Sequence, residues 1–178
     1  MSNKVYSLTD LILDNLFNLR GLLSSPYAAS YKLALKQRDL SAGEFGQAVV
    51  RLKERKLLVV TEKNNKKFIK LTSKGQLGVL MSKAILKNPG QWDGKWRLFT
   101  FDIPEGCKEK RGVLRKLLKQ NQFCKLQASV YISPYPLNKE GITYLNQSGL
   151  RDYVRILKVE EMDSDKELLK KFNLRKSH

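Results

Sequence analysis

Residues Trp92–Glu105 read W-D-G-K-W-R-L-F-T-F-D-I-P-E, and the organisation of the chain turns on them. Trp96 to Phe101 is a short apolar, aromatic-rich run with strand character. Asn88-Pro89-Gly90 ahead of it has linker composition, so the chain divides into units at residues 1–88 and 92–178. The strand ends on Asp102, and Pro104 then enforces a turn. An acid at the exposed end of a buried strand is where a metal-dependent enzyme would hold its ion. It is also where an ordinary domain simply turns.

Charge narrows the field. Residues 1–90 carry 16 Lys/Arg against 6 Asp/Glu, and residues 91–178 carry 18 against 11, giving +10 and +7 and together the net +17 of the 178-residue chain. A surface this basic attracts polyanions and speeds their encounter, so nucleic acid is the expected partner. Hydrophobic content of 42% supports folded cores. The only cysteines are Cys107 and Cys124, outside any C-x-x-C, which argues against a disulfide framework or zinc site. The only histidine is His178, so histidine-based catalysis has almost no material. No Gly-rich phosphate loop, signal peptide, internal repeat or membrane-spanning apolar run is read, and the expected location is the cytoplasm, away from membranes.

Residues 1–88 read as helices and one hairpin. Leu8, Leu11, Ile12, Leu16 and Leu19 recur at helical spacing behind a Ser7 cap. Ser25-Pro26 reads as a cap followed by a first-turn proline, starting a second helix that runs to about Leu35. Ser41-Ala42-Gly43-Glu44 has capping-box spacing and opens a third. Its apolar side is Phe45, Ala48, Val49 and Leu52; Gly43, Gln47, Val50, Arg51 and Glu54 fall opposite. Leu57–Thr61 and Phe68–Leu71 read as strands around the polar turn Lys63-Asn64-Asn65-Lys66, and Thr72 caps a last helix to about Leu86. This order is the winged helix-turn-helix pattern. Gln47 and Arg51, one turn apart, suit adenine and guanine edges, and Gly43 allows close approach beside the Ser41 cap. Lys63, Lys66 and Lys67 would sit beside phosphates. The passage Phe68 to Gly75 resembles the wing-to-helix segment of bacterial winged-helix regulators.

Residues 92–178 read as strand Trp96–Phe101, a helix over Lys108–Gln120, extended structure over Phe123–Ile132 broken near Ala128-Ser129, a helix over Asn138–Gln147, and strand Tyr153–Val159. Val113, Leu114, Leu117 and Leu118 are expected inside the first helix, with Lys110, Arg111, Arg115 and Lys119 outward; Ile142 and Leu145 face inward in the second. The order βαββαβ is ferredoxin-like, and the fold class is α+β. Residues 165–172 read as a terminal helix or tail. Trp92 and Trp96 are expected to pack at the joint between the units, and Tyr131 and Tyr135 in the core or an interface.

W-D-G-K-W-R-L-F-T-F-D-I-P-E, the following R-x-x-L-R-K-x-L and then V-Y-I-S-P together resemble the middle of PaaX-type transcriptional repressors. The second unit is also similar to the small CRISPR adaptation subunit Cas-two, through Asp102 and Ser129-Val130-Tyr131. The PaaX resemblance implies a repressor that reads DNA through its winged helix and dimerises through its ferredoxin-like domain. PaaX proteins continue into a region associated with acyl-CoA response that has no counterpart before His178, so no small-molecule effector is implied. The Cas-two resemblance implies instead that Asp102 of two subunits shares Mg²⁺ or Mn²⁺ for DNA cleavage, with Glu105 and Glu109 nearby in sequence. The ordinary reading has Asp102 cap the Pro104 turn or pair with an arginine.

The expectation drawn is a homodimeric, sequence-specific regulator, a repressor, binding double-stranded DNA at a pseudo-palindromic site without cofactor or catalytic residue. A Cas-two-like metal-dependent nuclease is the alternative, and a DNA-binding adaptor without sequence preference a third.

Overall fold

The computed structural model describes residues 7–19, 25–85 and 90–175. The chain forms two compact units, Met1–Val79 and Leu80–His178. The expected helix end near Leu86 and the Asn88-Pro89 part of the linker lie outside the described residues.

The first unit begins with α1 (Leu8–Asn18), β1 (Ser25–Pro26), α2 (Tyr27–Leu35) and α3 (Ala42–Glu54). The hairpin β2 (Leu58–Lys63) and β3 (Lys66–Leu71) follows, and α4 (Ser73–Lys83) begins behind it. Ser7 and Ser41 each close a capping box, with Asp10 and Glu44 returning to the cap. Ile12, Phe45, Ala48, Leu52, Leu58 and Ile69 form the core, and the rings of Tyr27 and Tyr31 lie 5.2 and 5.3 Å from that of Phe45.

Ser25-Pro26 departs from expectation. It is a two-residue strand, with Ser25 opposite Ile69 and Pro26 opposite Phe68, on the edge of a sheet ordered β1-β3-β2. Pro26 takes the N-cap position of α2 without a side-chain bond, and the buried Ser25 hydroxyl instead accepts from that of Ser30 at 2.9 Å. A proline lacks the N–H that a central strand needs, but an edge tolerates it.

The second unit runs β4 (Trp96–Phe101), α5 (Lys108–Gln120), β5 (Cys124–Gln127), β6 (Val130–Ser133), α6 (Lys139–Gln147), β7 (Val154–Val159) and α7 (Lys166–Phe172). Its sheet is antiparallel throughout in the order β5-β6-β4-β7, the ferredoxin-like arrangement. Alternation puts Phe99 and Phe101 on one face of β4, and the crossover helices bring Leu114, Leu117, Leu118, Tyr144 and Leu145 to burial. Trp96 and Leu98 point to the other face, where α7 contributes Leu168, Leu169 and Phe172.

Three details correct the sequence reading. Val113 is exposed, because it lies outside the arc of Leu114, Leu117 and Leu118. Lys110 and Arg111 occupy the inner flanks instead. The Arg111 guanidinium donates twice to the Ile103 carbonyl, at 2.9 and 2.7 Å, and Lys110 lies over the Tyr153 ring. Ile142 is only half-buried; Gly141, Tyr144 and Leu145 form the inner face of α6.

Candidate nucleic-acid interface

The capping box decides where α3 starts and how it is presented. Glu44 N–H donates to the Ser41 hydroxyl, and the Glu44 carboxylate accepts from the Ser41 N–H at 2.8 Å and from its hydroxyl at 2.9 Å. These bonds, the backbone one foremost, hold the Glu44 carboxyl below its usual range. The polar atoms of Ser41 are thus engaged in the cap. With Phe45, Ala48, Val49 and Leu52 buried, the helix turns Gly43, Gln47, Val50, Arg51 and Glu54 to solvent. Arg51 lies back along this face, its Nε 3.4 Å from the Gln47 carbonyl.

The hairpin is closed by Asn64 and Asn65, both in the left-handed region at φ 50° and 59°. That is the turn that two-residue hairpins favour, and asparagine tolerates it better than most residues. Register sets Lys63 opposite Lys66 and Glu62 opposite Lys67. Strand alternation then gives Lys63, Lys66 and Lys70 one face of the sheet and Lys67 the other, beside an acid. The expected trio therefore splits, and Lys70 takes the third place. The 66-68-70 alternation was the signal for it.

Asp102 stands exposed at the end of β4, its N–H donating to the Tyr153 carbonyl at 3.0 Å. Among the described residues no hydrogen bond or ion pair reaches its carboxylate, so it neither caps the Pro104 turn nor pairs with an arginine. Glu105 is 97% exposed and 4.0 Å from Arg111. No group of three or more potential ligand side chains is gathered among the described residues. One open carboxylate per chain does not make a magnesium or manganese site by itself.

The W-D-G-K-W-R stretch uses its own polar groups. Arg97 sets its two Nη atoms on the Asp93 carboxylate at 3.1 and 2.6 Å, while Lys95 N–H donates to Asp93 and Trp92 Nε1 to the Lys95 carbonyl. Gly94 takes φ 77° to permit the turn. The Trp92 and Trp96 rings lie 5.1 Å apart, and Trp96 lies 5.9 Å from Phe172. The aromatic pair packs within the second unit, against α7.

Asp93 yields a prediction. Hydrogen bonds from Arg97 depress its carboxyl from 3.8 to about 2. A depressed carboxylate contributes stability above its unfolded value and loses it as pH falls toward the folded one. The Asp93 side chain is 46% exposed, so screening limits this to about 1 kcal/mol. Asp93→Asn is expected to be less stable than the parent at neutral pH and to converge with it near pH 2. Parallel curves between pH 4 and 2 in urea unfolding would exclude this role.

Residues 89–169 match the family described as the PaaX protein central Cas2-like domain. No curated protein matches the chain. No helix among the described residues is long and apolar enough to cross a membrane. The match begins just before the W-D-G-K-W-R turn, takes in the whole ferredoxin-like sheet and ends within α7. The second unit is therefore similar to the Cas2-like central domain of PaaX proteins, over residues 89–169.

Proposed function

We propose that this protein is a sequence-specific DNA-binding transcriptional regulator, a repressor that works as a homodimer. The observation that carries the reading is the exposed face of the capped α3, with Gln47, Val50 and Arg51, beside a hairpin face bearing Lys63, Lys66 and Lys70. Helix, strand, two helices and hairpin in this order form a winged helix-turn-helix, with α3 as the recognition helix and the hairpin as the wing. Gln47 suits adenine, Arg51 guanine, and Val50, 53% exposed, a thymine methyl. Like charges opposed at Lys63 and Lys66 disfavour the free hairpin, and phosphates between them would remove that cost. Gly43 leaves the helix start open, and Ser41 contributes by fixing it. Lys67, beside Glu62, has the weaker claim to a phosphate.

Dimerisation is supported by the sheet face shared by Leu98 and Leu157, where Leu157 is 45% exposed and α7 supplies its cover around Trp96. A two-fold dimer would set two α3 helices on half-sites of a pseudo-palindrome, and occupancy of a promoter would repress it.

Selection from a random duplex pool, with and without Mg²⁺ or Mn²⁺, tests the reading. An enriched inverted repeat, recovered uncut in both arms, is the expected result. Enrichment of nothing, or cleavage in the metal arm, would overturn it. On the selected site, Arg51→Ala is expected to cost about 1–3 kcal/mol and relax preference at one base pair. Equal losses on selected and random DNA would refute base reading by Arg51.

A further inference from the structure

We infer that the outer face of α5, in the Cas2-like unit, is a second and sequence-independent binding surface for the DNA sugar-phosphate backbone. Lys108, Arg115, Lys116 and Lys119 are all exposed there and surround Gly112, whose missing side chain would meet nothing within 4 Å. At 100° per residue these positions share one half of the helix, opposite buried Leu114, Leu117 and Leu118. The helix rises 1.5 Å per residue, so Lys108 to Lys119 spans about 16 Å, or roughly five base pairs of duplex.

Helix electrostatics does not account for the arrangement beyond Lys119. Lys108 puts a cation in the first turn, where the helix dipole disfavours it. Arg115 and Lys119 are like charges four residues apart, and Lys116 and Lys119 three apart, spacings at which like charges repel. Among the described residues no ion pair or hydrogen bond engages any of the four side chains. The inner flank differs, since Lys110 and Arg111 are held by Tyr153 and Ile103. Glu109 is the only acid on the helix, and it sits where the dipole favours it. Lys119 alone is favoured by the dipole, in the last turn; a row of cations that stays unneutralised and repels itself along the helix fits a polyanion with regularly spaced charges.

The inference rests on the DNA-binding reading above but assigns a surface which that reading does not use. It is tested with the full-length chain carrying K108Q, R115Q, K116Q and K119Q together, and with a wing variant carrying K63Q and K66Q. Affinity for the selected site and for random duplex is measured across a salt series. Each lost phosphate contact flattens the log–log salt slope by about 0.9, so the α5 variant is expected to flatten it by up to about 3.6. The ratio of selected to random binding should stay constant, and the melting temperature should hold or rise as like-charge repulsion is relieved. A slope change below about 1 in the α5 variant overturns the inference. If the wing variant alone flattens the slope, the regulator reading survives that failure. If neither does, both fall. Phosphatidylserine vesicles form the last arm: binding that the α5 variant loses, with its DNA slope intact, would give the surface to a membrane and overturn the inference.

Discussion

Gly75→Ala is expected to destabilise the first unit by about 3 kcal/mol or more, above the ordinary range for overpacking. A Cβ at Gly75 would lie 2.0 Å from the Leu57 carbonyl oxygen and 3.2 Å from Leu71 Cδ2. That oxygen cannot easily retreat. It accepts from Thr72 N–H at 3.1 Å, while the Thr72 hydroxyl donates to the neighbouring Lys56 carbonyl at 2.7 Å and accepts from Gly75 N–H at 3.0 Å. Lys56 already sits at φ 58°, so the same short segment holds a strained residue. Alanine's better helix propensity, about 1 kcal/mol, works the other way and is outweighed. Gly78, one turn on, is the control, because nothing lies within 4 Å of a Cβ there. Gly78→Ala should therefore gain up to about 1 kcal/mol. Thermal unfolding followed by circular dichroism separates the two. A Gly75→Ala midpoint at or above the parent's would show that the clash is relieved without cost.

The second large effect belongs to Trp96. It is 1% exposed and packs with Ile132 and Leu168, its ring near those of Trp92 and Phe172, and its Nε1 3.4 Å from Asp165 Oδ2. Trp96→Ala removes the side chain on which α7 rests and is expected to cost about 3–5 kcal/mol. Trp96→Phe keeps most of the buried area but loses the indole donor, at about 1–2 kcal/mol. Urea midpoints rank the three proteins, and limited proteolysis reports α7, which should become cleavable first. If α7 stays protected in Trp96→Ala, the tryptophan is not its anchor.

What could be read from sequence follows the range of the interactions. Ser41 and Glu44 are three residues apart, so their capping box was legible, as were β4 and α5, whose patterns are local and strong. The strand at Pro26 is not legible because its partner, Phe68, lies far along the chain and no local pattern announces an edge pairing. The packing of Trp92 and Trp96 against α7 is hidden for the same reason: Phe172 and Leu168 arrive from the far end of the sequence. By its charge Arg111 reads as solvent-facing, whereas its guanidinium holds the Ile103 carbonyl. The α3 face is legible as a set of positions, and the division of the hairpin lysines between two faces requires the hairpin register.

The opposed Lys63 and Lys66 also bear on how salt acts on the first unit. Free in dilute buffer, the hairpin tip repels itself; added ions screen that repulsion and order the tip. Under the proposed function, the same ions would compete with the protein for phosphate. Salt would thus order the hairpin tip while weakening its hold on DNA, and the two effects would partly cancel. On the proposed DNA-binding reading, a binding slope measured on the parent protein would count fewer phosphates than the hairpin touches; amide exchange at the tip should slow as salt rises even with no DNA present.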